Sequence, residues 1–279
     1  MAKEQSRRDP SLPRSIGIWG DEPRKITLSE EPFDPSDAWS QLYSIYILGP
    51  FSGGWRAAFR VAGALRLERR PLANRRFVQT GRRVEQMISN NWLSTSWEAE
   101  HDGDAVATPR TWTFTSDLLY NWKPVDADFR YPDIGHGGHR DRPLPMDSAK
   151  HTFAGRLEED AVVNEGRRPV QRASATGIAS NWGLFDAVQR LDPDLAQPLT
   201  FDMLEDFDLY KPGHVLRSGD AVEVEFANGP MRLHGFRQLG HGILPWEYWV
   251  SEQGRLVLAV KGYQGYLLNP GEPIGGKLS

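Results

Sequence analysis

The chain has no cysteine among its 279 residues, which excludes disulfides, thiolate metal sites and a cysteine nucleophile. No apolar run approaches the roughly 18 residues of a membrane span. Lysine is scarce, 7 against 26 arginines, and acidic side chains outnumber basic ones 37 to 33. The net charge of −4 argues against a general nucleic-acid binder. Catalytic signatures are missing too. No dinucleotide fingerprint follows a strand, and there is neither a phosphate-binding P-loop nor a serine nucleophile elbow. The Gly-rich stretch Phe51-Ser52-Gly53-Gly54 matches none of them. Arg7-Arg8 is followed by Asp9, Pro10 and Pro13 rather than an apolar segment, so it is no twin-arginine signal. Residues 1–20 read as a mobile polar extension, with the cytoplasm as the default compartment.

Aromatic rings are abundant: 10 Trp, 8 Tyr and 12 Phe, each able to bury on the order of 150–250 Å². Asp34 as cap, Pro35 at the first helical position, and Trp39, Leu42, Tyr43, Tyr46 and Ile47 at helical spacing predict a helix ended by Gly49-Pro50. From Trp55 the period drops to two. Leu65 and Leu67 alternate with Arg66 and Glu68, a second strand fills Arg75 to Met87, and Leu93, Thr95, Trp97 and Ala99 alternate with polar neighbours. Asp102-Gly103 predicts a tight hairpin returning through Trp112 and Phe114. Strands resume after His151. Ser180 is placed to cap a helix to Leu191, and Thr200 a shorter one over Phe201 to Phe207. An Asn228-Gly229 turn would set Glu223 and Glu225 opposite His234 and Arg232, and a last hairpin turns at Glu252 to Gly254.

With about ten antiparallel strands and no βαβ alternation, the fold class is mainly β. The expected architecture is an antiparallel meander barrel or clam, lipocalin-like, with a few short helices and one domain over residues 21–279. Such a barrel leaves room for a small ligand. The expected cavity lining is drawn from Tyr43, Tyr46, Trp97, Trp112, Trp246, Tyr248 and Trp249, suited to a small aromatic or apolar molecule.

Residues 121–150 interrupt the strands with a long loop, a feature that is often functional. It contains Tyr131-Pro132-Asp133-Ile134-Gly135-His136-Gly137-Gly138-His139-Arg140-Asp141-Arg142. His136 or His139 could serve as base, Tyr131 as acid, and Arg140 or Arg142 as stabiliser of negative charge. A metal bound by His136, His139 and Asp133 or Asp141 is the competing reading. Two histidines in a Gly-rich loop prescribe no coordination geometry, so no metal and no cofactor is assigned. Glu247 and Lys261, on neighbouring strands of the last hairpin, form a second candidate pair in a wall shared with Trp249.

The run from Gly240-His241-Gly242-Ile243-Leu244-Pro245 through Tyr248-Trp249-Val250 to Gly254-Arg255-Leu256-Val257 resembles the C-terminal third of bacterial β-clam and lipocalin-like proteins of unassigned function. The resemblance implies a wide antiparallel sheet around an apolar cavity. Some proteins of that kind are cofactor-independent lyases acting on aromatic compounds, and no catalytic residue carries over from them. The expected function is therefore an acid–base lyase of elimination, hydration or retro-aldol type, independent of cofactors. The alternative is a non-catalytic small-molecule binding protein. No nucleic-acid or membrane partner is expected, and the sequence leaves room for a homodimer.

Overall fold

The computed structural model describes residues 13–29, 31–50, 57–86, 92–119, 148–159, 161–172 and 176–269. A short helix α1 (Arg14–Gly17) precedes a run of long strands: β1 (Trp39–Pro50), β2 (Ala57–Pro71), β3 (Arg76–Gln86), β4 (Trp92–Asp102), β5 (Pro109–Leu119) and β6 (Ser148–Leu157). Short strands β7 (Ala161–Asn164), β8 (Val170–Gln171) and β9 (Gly177–Ser180) follow, and β9 leads into helix α2 (Gly183–Arg190). The chain ends with β10 (Leu199–Glu205), β11 (Leu209–Ser218), β12 (Val222–Phe226), β13 (Gly229–Leu239), β14 (Trp246–Ser251), β15 (Leu256–Lys261) and β16 (Gln264–Leu268).

These strands form one sheet in the order β8-β7-β6-β5-β4-β3-β2-β1-β16-β15-β14-β13-β11-β10-β9, with β12 added beside β13. Every pairing is antiparallel except β9 with β10. The two edge strands, β8 and β9, are consecutive in the chain, so the sheet curls until its ends approach. No ladder joins them among the described residues. Side chains meet instead: Asn164 of β7 donates to the Phe207 carbonyl (3.2 Å) and Arg167 pairs with Asp208. The result is an open, clam-like sheet, mainly β as the period-2 patterning predicts.

Helix α2 fills the clam. Residues 183–189 are all buried, as befits a helix surrounded by sheet. The Ser180 hydroxyl, at the end of β9, accepts the Gly183 N–H (2.8 Å), but the helix begins two residues later than expected and its N-cap is Trp182, which makes no side-chain cap bond. At the centre stands Phe185, with Tyr43, Trp246, Tyr248 and Tyr266 edge-on to it and Trp182 tilted against it, at centroid distances of 5.5–6.0 Å. The polar residues of the helix are all engaged, as burial requires. Gln189 accepts from Gln41 (2.7 Å) and from the Leu256 N–H (3.0 Å). Asp186 lies 2.8 Å from both Arg69 and Arg190, tying the helix to β2.

Residues 13–29 cross the outer face. Ile16 and Trp19 are buried, Trp19 sits edge-on to Tyr46 (5.3 Å), the Ser15 hydroxyl donates to Glu247, and Leu28 exchanges hydrogen bonds with Asn228. The part of the expected extension that lies within the described residues is therefore packed.

Several expectations are corrected. Residues 39–47 are strand β1, not helix. Tyr43 and Ile45 point inward while Tyr46 lies outward under Trp19, so both faces are covered and the alternation is hidden. Residues 201–207 are likewise not a helix: Phe201–Leu204 lie in β10, all buried, between β9 and β11. His101 pairs with Pro109, so the Asp102-Gly103 connection is a longer loop than a two-residue hairpin. Phe226 pairs with Gly229, making Ala227-Asn228 the turn. Glu223 then faces Arg232 rather than His234, and the carboxylate–imidazole pair read there does not form.

Candidate functional site

Strand β3 presents Phe77, Gln79, Gly81, Arg83 and Glu85 to the interior at alternate positions. Cross-strand pairing extends them into rows. Gly81, Trp97, Phe114 and Phe153 form an aromatic row across β3 to β6, and Arg83, Thr95, Ser116 and His151 form a polar row beside it. Gly81 is required by this arrangement, since a Cβ there would lie 2.0 Å from the Trp97 ring. The freed space lets Trp97 stack on Trp182 at 4.6 Å, giving a flat double-indole platform at the edge of the polar row.

Charges gather at the same place. Arg83 pairs with Glu85, and its guanidinium lies 5.7 Å from the Trp182 ring. Glu85 also accepts from Gln264 of β16 (2.5 Å). The intervening β2 residue in register is Gly63, which has no side chain to obstruct this contact. Asp206 accepts from Trp182 Nε1 (3.0 Å) and Asn181 Nδ2 (3.1 Å). Asp206 and Phe207 both sit at positive φ, +50° and +59°, a costly conformation for residues with a Cβ. It drives Phe207 inward against Trp97, Trp112, Phe114 and His101. Burial pulls the Arg83 pKa down, but the Glu85 and Asp206 carboxylates oppose this and hold it charged. Burial drives the Tyr266 phenol well above its ordinary range, opposed by Arg83, so it stays protonated.

Among the described residues, three buried side-chain atoms in these two rows that can donate have no hydrogen-bond partner: Arg83 Nε, Thr95 Oγ1 and Trp97 Nε1. Thr95 is the cross-strand partner of Arg83, and Trp97 is the next inward residue on β4. Ser116 is half-buried and His151 exposed, so the row runs from the interior toward solvent. Two surface hollows lie elsewhere, about 300 Å³ beside the C-terminal end of α2 and about 440 Å³ over the outer face of β1 to β4.

Tyr131, His136, His139, Arg140 and Arg142 fall outside the described residues. The strands bounding that stretch end at Leu119 and begin again at Ser148, each three residues beyond the polar row at Ser116 and His151. Of the predicted lining residues, Tyr43, Trp97, Trp112, Trp246 and Tyr248 face inward and are buried. Trp112 donates to Asn164 (3.1 Å), Tyr43 to Gln41 (2.7 Å), and Tyr248 to Gln238 (3.0 Å). Tyr46 and Trp249 face outward. A bulge at Trp249/Val250 sets the last hairpin's register: Trp246 opposes Lys261 and Glu247 opposes Val260. Glu247 and Lys261 therefore occupy opposite faces, and the pair does not meet. Glu247 faces Arg237 (3.7 Å) and Ser15, whereas Lys261 binds Glu205 (2.5 Å) over the Trp246 ring. Burial alone would raise the Glu205 pKa, yet hydrogen bonds from Lys211 and Lys261 hold it below the usual range.

Sequence reasoning passed over Arg83, Glu85, Thr95 and Tyr266. A signal existed in β3, where residues 79, 83 and 85 are polar on the same side as Phe77. Among the described residues no group of three His, Asp or Glu side chains is gathered as metal ligands would be.

No family model and no curated protein matches the chain. Among solved structures, a β-barrel-like protein of the domain of unknown function DUF1849 from Brucella abortus is similar to it at 10% identity. That match covers 82% of this chain and 94% of the other, with a TM-score of 0.49.

Proposed function

We propose that this chain is a small-molecule binding protein whose ligand lies on the inner face of β3 to β6, along the row Arg83, Thr95, Ser116 and His151. The observation that carries this reading is the trio of buried donors without acceptors on adjoining positions. Each unsatisfied buried donor costs about 1–3 kcal/mol, so three together call for an acceptor that the described residues do not supply. The Trp97–Trp182 stack offers a flat apolar surface for the rest of a small aromatic ligand.

A second reading is the cofactor-independent acid–base lyase. Tyr266 bears on it, because a buried phenol kept protonated can donate a hydrogen bond to a developing oxyanion. Binding precedes turnover in either case, so binding is tested first. Tryptophan fluorescence titrations of the purified chain with a panel of small aromatic compounds should show saturable change for at least one member. Thr95→Val should weaken that response about fivefold or more, as expected for loss of one ligand hydrogen bond. Absence of any saturable response, or binding indifferent to Thr95→Val, would overturn the assignment.

A further inference from the structure

We infer that the site selects an uncharged oxygen acceptor, a carbonyl or amide carried on a flat aromatic body, over the corresponding carboxylate. The inference rests on the binding reading above and adds the chemistry of the head group.

Two properties of the row point to this head group. Its unpaired groups can all donate: Arg83 Nε and Trp97 Nε1 are donors only, and the Thr95 hydroxyl can donate as well as accept. A ligand must therefore bring acceptor oxygens, and an apolar molecule without one would leave all three unsatisfied. An arginine among the donors would ordinarily suggest a carboxylate, through the matching fork geometry. Here part of the fork is already engaged: Arg83 Nη2 is paired with Glu85, beside the unpartnered Nε. The Asp206 carboxylate lies on the same side, held by Trp182 Nε1, whose ring Arg83 faces. Counting Arg83, Glu85 and Asp206 as one positive and two negative charges, the donors sit in a region with no spare positive charge. Bringing a further carboxylate there would strip it of water and set it beside two like charges, whereas a neutral carbonyl meets the same donors without that cost.

Beyond the row, Ser116 and His151 continue on β5 and β6 toward solvent. They provide polar positions for a second substituent at the far end of the ligand.

The test compares two matched probes, 2-naphthamide and 2-naphthoate, by isothermal titration calorimetry with the full chain at pH 7. The amide should bind at least about tenfold more tightly than the carboxylate, the discrimination expected when one ligand buries an unpaired like charge. Glu85→Gln removes one of the two negative charges and should narrow the gap by improving naphthoate binding. Equal or tighter binding of naphthoate to the wild-type chain overturns the head-group inference while leaving the binding reading intact. If neither probe binds at millimolar concentration, the head-group inference fails, and the binding reading is decided separately by the panel of aromatic compounds. The wild-type comparison decides the question even where Glu85→Gln does not fold.

Discussion

Replacing Phe185 by alanine tests whether α2 is the keystone of the fold. The ring is fully buried and touches five aromatic rings supplied by β1, β14, β16 and the residue preceding the helix. Phe to Ala in such a core costs about 3–5 kcal/mol, the transfer loss plus the cavity left behind. Edge-on aromatic contacts, each worth about 0.5–1.5 kcal/mol beyond area, place this site at the upper end. The surrounding rings are held on separate strands of one sheet, which limits how far they can collapse into the gap. A domain of this size loses roughly 2–4 °C in Tm per kcal/mol, so the melting temperature should fall by about 10–15 °C. Differential scanning calorimetry reads this directly. Phe185→Leu, which keeps most of the apolar volume, should fall by less than half as much. Tyr263→Ala, at a residue 62% exposed, should stay within about 0.5 kcal/mol of the parent. A Phe185→Ala protein that melts within 2 °C of the parent would refute the packing argument.

Three further outcomes are expected. His101 is fully buried, its Nδ1–H donating to the Ala107 carbonyl (2.8 Å), and burial lowers its pKa to about 4. The unfolded chain binds the proton more tightly, so the contribution is complete above pH 6.5 and is lost as pH falls toward 4. It amounts to on the order of 3 kcal/mol, and urea unfolding at pH 7 and pH 5 should show its partial loss in the parent but not in His101→Phe. Asn164 bridges the open edges by accepting from Trp112 and donating to the Phe207 carbonyl. Asn164→Ala should cost about 2–3 kcal/mol and speed hydrogen exchange in β7 and the 205–209 turn, and unchanged exchange there would contradict its role as a latch. Gly81→Ala would set a methyl 2.0 Å from the Trp97 ring, displacing the indole from Trp182. Near-ultraviolet circular dichroism should lose intensity, and aromatic ligands should bind at least about tenfold more weakly.

The strands that alternate cleanly were readable because one of their faces is wet. Leu65 and Leu67 are buried against Arg66 and Glu68, and Trp97 and Ala99 against Ser96 and Glu98. The helix at 183–190 was readable from Ser180 and the spacing of Leu184, Phe185 and Val188. The signal failed where both faces are covered. In β1, Trp19 covers Tyr46 from outside while Phe185 meets Tyr43 from inside, and in β10 four successive residues are buried. A doubly covered strand has no period of two to detect. The register of the last hairpin failed for a local reason, a single-residue bulge at Trp249/Val250 that moved Lys261 to the face opposite Glu247. The polar row was not assigned because Arg83 looks like a surface residue in isolation and Thr95, though on the face of Trp97 and Ala99, carries no charge to single it out. The pairing of β3 with β4 brings the two together.

The most direct test of the ligand site is a crystal structure of the chain soaked with 2-naphthamide. The account predicts density for the ring against Trp97 and Trp182, with its carbonyl oxygen about 2.7–3.2 Å from Thr95 Oγ1 and Arg83 Nε. Density confined to a surface hollow, or a row in which Arg83 Nε, Thr95 Oγ1 and Trp97 Nε1 are satisfied by the protein's own acceptors, would contradict it.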